Sequence, residues 1–194
     1  MAKKNALILA PGVVFNEARH EYHLRGKQLS GVTGIIGKRL GTKFPEEFVG
    51  EARGEGLHVH KAVEDWIDAR GRTCNSMHPG VMWITGTLID KCTQIPKFMH
   101  SEVLVSDLTQ YASAVDIIAE YDGKILDLFD MKRSFKRTPV TWQLSIYKYF
   151  IETFTPYRVD KLWCAAFRDK EYYPIFPKDA CEIEELLYGK KDEK

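Results

Sequence analysis

Two apolar runs rich in β-branched residues, Tyr111 to Tyr121 and Ile125 to Lys132, flank the turn signal Asp122-Gly123, and this pattern commits the middle of the chain to a β-hairpin. Both faces of that hairpin are largely apolar, with Val115, Ile117, Phe129 and Met131 set against Ile118, Leu126 and Leu128. Strands of this kind are expected where helices cover both sides of a sheet, so the fold class is α/β with a central mixed β-sheet flanked by helices.

Asp116, Asp130 and Lys132 interrupt the apolar surface. A carboxylate pair inside such a hairpin is costly unless something binds it. Register decides whether the acids cooperate, because side chains alternate faces with period two. A two-residue loop at Asp122-Gly123 pairs Asp116 with Phe129 and sends Asp130 to the opposite face. A three-residue loop, Tyr121-Asp122-Gly123 with the glycine left-handed, pairs Asp116 with Leu128 and gathers Asp116, Asp130 and Lys132 on one face. The odd loop, or a bulge that restores its parity, is therefore the expectation. On the hairpin alone a plainer alternative stays open, in which Asp127 and Asp130 are solvated strand-end acids and Lys132 is their surface partner.

Upstream, Pro45 to Gly71 reads as a long helix with an acidic first turn and a glycine at its end, which Gly50, Gly54 and Gly56 are able to break in two. Gly56, His60 and Glu64 recur every four residues and share a face, so His60 can point at a metal while Glu64 orients it or closes a helical hydrogen bond. His58 reads as a packed or exposed residue, and Lys61 and Asp65 as solvated charges. Downstream, Lys132 to Arg137 is a short basic run with one aromatic, and Thr138-Pro139 supplies an N-cap and first-turn proline for a helix through about Phe154. Gln143 and Tyr147 share a face of that helix. Taken singly, Tyr147 reads as core and the basic run as a solvated loop.

The remainder reads as architecture. Val13 to Leu29 is a hairpin closed near Arg25-Gly26-Lys27, and Val32 to Leu40 is a short helix. Gly80 to Gln94 is a helix with Trp83, Leu88 and Ile89 in the core. Val159 to Arg168 and Tyr172 to Phe176 are strands joined at Asp169-Lys170, and Asp179 to Tyr188 is a final helix. One domain spans 1–194, with 1–12 and 189–194 as mobile ends.

In order along the chain stand Gly56-x-x-x-His60, Glu102, Asp116, Asp130-x-Lys132 and Gln143-x-x-x-Tyr147. This series resembles the motif order of the RecB-type nuclease branch of the PD-(D/E)XK superfamily over roughly Gly56 to Tyr147. Phe15 to Thr33 is similar to the opening of small phage-encoded members. Two positions depart from the pattern: Ser113 or Ala114 replaces a glycine usual before the first aspartate, and Asp130 stands where many relatives carry glutamate. Neither removes a ligand.

The resemblance implies a restriction-endonuclease-like core with an N-terminal β-hairpin, and a metal-dependent DNA nuclease, an exonuclease of recombination, repair or phage DNA processing. Asp116 and Asp130 would share the metals, the backbone carbonyl of Met131 would complete a coordination sphere, and His60 and Glu102 would add ligands. Lys132 would sit beside the attacking water, helping to deprotonate or orient it. Glu64, Gln143 and Tyr147 would support the site or touch DNA, as would Arg133, Lys136 and Arg137. Hard oxygen ligands favour two Mg²⁺ or Mn²⁺ ions, and an imidazole shifts tolerance toward Mn²⁺. A structure-specific endonuclease, a non-catalytic DNA-binding or partner-binding module of the same fold, and a metal hydrolase of a small phosphorylated substrate are the alternatives.

Composition bounds this reading. The 194 residues carry a formal charge of only +1. DNA binding must therefore rest on local cations such as Lys38, Arg39, Lys43 and those of the 132–137 run. Cys74, Cys92, Cys164 and Cys181 form no C-x-x-C pair and no closely spaced trio, so neither a zinc finger nor an iron-sulfur cluster is expected, and the thiols should be reduced and mostly buried. No long apolar run or secretory signal occurs, so the protein is expected to be soluble and intracellular; the resemblance implies the cytoplasm of a bacterial or phage-infected host cell. DNA, single-stranded or with free ends, is the expected partner. By analogy, a recombinase, helicase or single-strand-binding protein would act beside it.

Overall fold

Val13–Asn16 (β1), Glu21–Leu24 (β2) and Lys27–Gly31 (β3) form an antiparallel meander, so the expected hairpin carries a third strand. Arg25 and Gly26 close its second turn with φ of 50° and 80°, the paired left-handed geometry that matches strand twist. The computed structural model describes residues 7–41, 49–72 and 74–189. Lys43, the expected helix start at Pro45, and the outermost residues of both expected mobile ends lie outside the described residues. From Leu7 onward the loose end is corrected: Leu9 and Ala10 are buried in the core, because their apolar side chains cover the sheet.

Five further strands extend the meander: β4 (Phe98–Ser106), β5 (Tyr111–Tyr121), β6 (Ile125–Lys132), β7 (Arg158–Ala166) and β8 (Glu171–Pro174). Together they make one open mixed sheet of eight strands in the order β1-β2-β3-β5-β6-β7-β8, with β4 antiparallel to β5 off that path. The β3–β5 and β6–β7 pairings are parallel.

Among the described residues five α-helices flank the sheet: α1 (Val32–Leu40), α2 (Val49–Asp68), α3 (Pro79–Thr87), α4 (Arg137–Phe154) and α5 (Ala180–Tyr188). Ile36, Tyr147 and Ile183 bring α1, α4 and α5 into one core, and Val59, Val63 and Ile84 bring α2 and α3 into another on the opposite face. The fold is thus α/β, with helices on both sides as the two apolar faces of the hairpin require.

Several local boundaries differ from expectation. α3 ends at Thr87 and gives way to a 3-10 turn over Leu88–Lys91, which buries Leu88 but leaves Ile89 exposed rather than in the core. Gly80 lets α3 lie close to the sheet, since a Cβ there would meet Phe167 at 3.0 Å. α4 starts at Arg137 with Lys136 as its N-cap rather than Thr138, and Pro139 falls in the first turn, where its missing N–H costs nothing. Cys74 and Cys181 are exposed, Cys92 is half-buried and only Cys164 is buried. All four thiols are free, but their expected burial is corrected, because Cys74 and Cys181 sit on a loop and a helix start outside the two cores and Cys92 only packs against the margin of one.

The central hairpin has the odd loop, placed one residue later than expected. Tyr121 pairs with Ile125 and Ile117 with Phe129, so the loop is Asp122-Gly123-Lys124, with Gly123 and Lys124 at φ of 77° and 62°. Tyr121 is held in the ladder by its buried phenol, which donates to Asp127 at 2.6 Å. Continued to its end, this register sets Asp116 across from Asp130 instead of Leu128.

Candidate metal centre

β5 has a gap on one edge. β3 pairs with it at Tyr111 and Ala112, β6 pairs from Ile117 to Tyr121, and residues 113–116 between them carry neither strand. At the same level β4 and β5 reverse their faces together. Val103, Val105, Tyr111 and Val115 enter the core beneath α4, whereas Met99, Ile117, Ala119 and Tyr121, of the same parity, enter the core beneath α2. The reversal falls at Glu102 and Asp116, and Glu102 takes a φ of 50° to make it. The ladder between β5 and β6 ends here as well. Met131 donates its N–H to the side chain of Asp116 (Oδ2, 2.6 Å), and the two strands splay.

Into this opening α2 delivers His60. Its Nε2 lies 3.2 Å from the Met131 carbonyl, which can only accept, so the ring carries its proton on Nε2 and turns Nδ1 toward the carboxylates. Nδ1 is 3.6 Å from Asp116 Oδ1 and 3.8 Å from Glu102 Oε1. One ligand atom from each of these three residues lies within 4.8 Å of the others. Two donors sharing one small hard ion can stand no farther apart than twice a bond length, about 4.2 Å, and both histidine distances satisfy that limit. A second fit is the tautomer, since a metal-binding histidine commonly donates its other N–H to a carbonyl or carboxylate.

Asp130 lies beside this trio but is held differently. It is fully buried; Gln143 donates to its Oδ1 at 2.8 Å, and the Lys132 ammonium sits 2.7 Å from its Oδ2. Oδ2 is itself closed off from solvent, with the ammonium as its charge partner. Behind it, Gln143 also donates to the Tyr147 hydroxyl at 2.7 Å, and that hydroxyl meets Ser113 Oγ at 2.8 Å.

Burial pushes the Asp130 carboxyl up to about 6, opposed by Lys132 and reinforced by Asp116. Burial works against charge on His60, yet the carboxylates of Asp116 and Glu102 hold it at about 9. Lys132 is half-buried; desolvation works against its charge, yet Asp130 and Asp116 raise it above its ordinary value. The pocket is acidic in excess and keeps its bases protonated, the electrostatic condition of a site that exchanges protons for a cation.

Not every expected residue joins. Glu64 pairs with the exposed Lys61 at 3.0 Å instead of supporting His60. Arg133 turns to Glu55, donating from Nε at 2.6 Å, and Arg137 lies over the Phe135 ring at 5.7 Å. Lys136 is exposed at the start of α4. Two participants had no marker in the sequence. Ser113 reads in the sequence only as a departure from the motif, and Glu55 belongs to no motif; their partners, Tyr147 and Arg133, are 34 and 78 residues away. Neither a family model nor a curated protein sequence matches this chain.

Proposed function

We propose that this protein is a divalent-metal-dependent nuclease of the PD-(D/E)XK type, with a core of that fold, which hydrolyses DNA phosphodiester bonds from free ends. The observation that carries this is the His60–Glu102–Asp116 donor cluster set against the buried Asp130–Lys132 ion pair, all at the splayed end of one hairpin. His60, Glu102 and Asp116 would hold the ion, and Asp130 would add an oxygen toward a second. Bound Mg²⁺ or Mn²⁺ supplies Lewis acidity toward a phosphoryl oxygen and toward water.

The chain's own residues divide the remaining work. The Met131 carbonyl fixes the His60 ring so that Nδ1 faces the carboxylates. Lys132, held protonated, is a donor and a positive charge for the developing phosphorane and not a base near neutral pH. Asp130 fixes that ammonium, and Gln143, Tyr147 and Ser113 fix Asp130. A cavity of about 1150 Å³ runs along Ile95 and β4, past Trp66, Phe98 and His100, and is lined at one end by Glu102 of the cluster. A strand end would approach Glu102 along it.

The test is degradation of end-labelled DNA, single- and double-stranded, linear and circular, with Mg²⁺, Mn²⁺ or chelator. Metal-dependent loss of linear DNA, abolished in Asp130→Asn and Lys132→Ala, is the expected result. Binding without cleavage under every metal would replace the nuclease by a non-catalytic module, and cleavage of circles at the linear rate would make it an endonuclease.

A further inference from the structure

We propose that Arg133, held by Glu55, is a phosphate-binding fork that seats the nucleic-acid backbone just beyond the metal cluster, with Glu55 as its positioning residue. The proposal rests on the nuclease reading of that cluster. α2 and β6 run in opposite directions and in step: His60 meets Met131, and five residues back along α2, Glu55 meets Arg133, two residues further along the chain. Five residues of helix and two of strand each cover about 7 Å, so the fork stands about that far from His60.

The geometry of the pair is specific. A guanidinium presents its donors in one rigid plane, and Arg133 uses Nε alone, donating to Glu55 Oε2 at 2.6 Å. Both terminal nitrogens are without a hydrogen-bond partner among the described residues, and the side chain is 40% exposed. That edge matches the two oxygens of a phosphodiester. Lys132 next door is paired with Asp130 and directed at the reacting phosphate, which leaves Arg133 as an adjacent cation with donors for the backbone beyond it.

Glu55 is fixed in turn. His78 Nδ1 accepts the N–H of Gly80 at 3.1 Å, which puts the imidazole proton on Nε2, 3.3 Å from Glu55 Oε1. A chain of directed hydrogen bonds thus runs from the first turn of α3 through α2 to the end of β6. A carboxylate beside an arginine also subtracts charge. It can favour phosphate binding only by orienting the fork, and this separates positioning from a mere tie between α2 and β6, because the two roles have opposite consequences when the carboxylate is removed.

The experiment is equilibrium binding of a fluorescent single-stranded oligodeoxynucleotide in Ca²⁺ across a salt series, with cleavage kinetics in Mn²⁺ and melting curves alongside. Arg133→Ala should weaken binding about tenfold and reduce the log–log salt slope by about one. Arg133→Lys keeps the slope but loses about fivefold in affinity, because a point charge does not replace a fork. Glu55→Ala should lose about fivefold with the slope unchanged, while Glu55→Gln, whose carbonyl still accepts from Nε, stays within about twofold of wild type. The double variant Glu55→Ala/Arg133→Ala should match Arg133→Ala, since one residue acts through the other. In turnover the losses fall on KM with kcat kept.

Binding by Glu55→Ala that equals or exceeds wild type overturns the fork, as does an unchanged slope in Arg133→Ala or no binding by wild type. Ordered binding losses in a protein that cleaves with no metal would retain the fork and discard the nuclease. Cleavage indifferent to all these variants would do the reverse.

Discussion

His60 shows how a side chain's charge state reports its task. With its folded value near 9 against an ordinary 6.5, the imidazole contributes stability that is complete below the unfolded value and is lost as pH rises through 9. A cation must displace the Nδ1 proton, so affinity for Mn²⁺ should rise steadily between pH 6 and pH 9. Titration calorimetry in buffers of different ionisation enthalpy would reveal the proton released; binding with no proton release would remove His60 from the ligand set. Asp130 obeys the same sign rule. Its carboxyl is raised to about 6 from an ordinary 3.8, so its favourable term is complete below 3.8 and gone above 6. Asp130→Asn should therefore stabilise the metal-free protein at pH 8 relative to wild type, by on the order of 1 to 3 kcal/mol, and not at pH 4, as urea melts at the two pH values would register.

At the scale of elements, the site is made by a paired fault in β4 and β5. Alternation had predicted which residues of the hairpin share a face, and the odd loop preserved that parity. It did not foretell that both strands reverse faces at Glu102 and Asp116. No glycine marks the turn, because the left-handed conformation is taken by Glu102 itself, at φ of 50°. A non-glycine residue there stores about 1 kcal/mol of strain or more. Glu102→Gly should accordingly be more stable than Glu102→Ala by about 1 kcal/mol, while both weaken metal binding about equally. Equal melting temperatures for the two variants would show that the backbone there is unstrained. The register gave another surprise of the same kind: Tyr121 stayed in the ladder because Asp127, buried in a net of Thr93 and Lys161 hydrogen bonds, accepts a hydrogen bond from its phenol.

At the scale of the molecule, two helical layers on opposite faces meet the sheet and reach the same point through its splayed centre. α2 brings His60 from one side and α4 brings Gln143 and Tyr147 from the other. A cation bound between them should stabilise the whole fold. Saturating Mn²⁺ should raise the melting temperature by several degrees at pH 8, with a gain of about 2.7 kcal/mol at a hundred times the dissociation constant and a smaller gain at pH 6. Differential scanning calorimetry at both pH values tests it, and an increment that grows toward low pH would contradict the proton-coupled site. No helix among the described residues is long and apolar enough to cross a membrane.

What the sequence by itself determined is whatever rests on short-range periodicity and turn chemistry. The hairpin, the α1 helix, the His60 face of α2, the Gln143–Tyr147 face of α4 and the two-sided apolar strands are all of that kind, since local backbone geometry repeats every two or 3.6 residues regardless of what lies beyond. Tertiary structure alone decided which of those groups meet. Glu64 was drawn to Lys61, Asp130 was sealed behind Gln143 and Lys132, and Ser113 and Glu55 were recruited. Such choices depend on contacts between residues far apart in the chain and on left-handed residues that carry no glycine, and neither leaves a local signal.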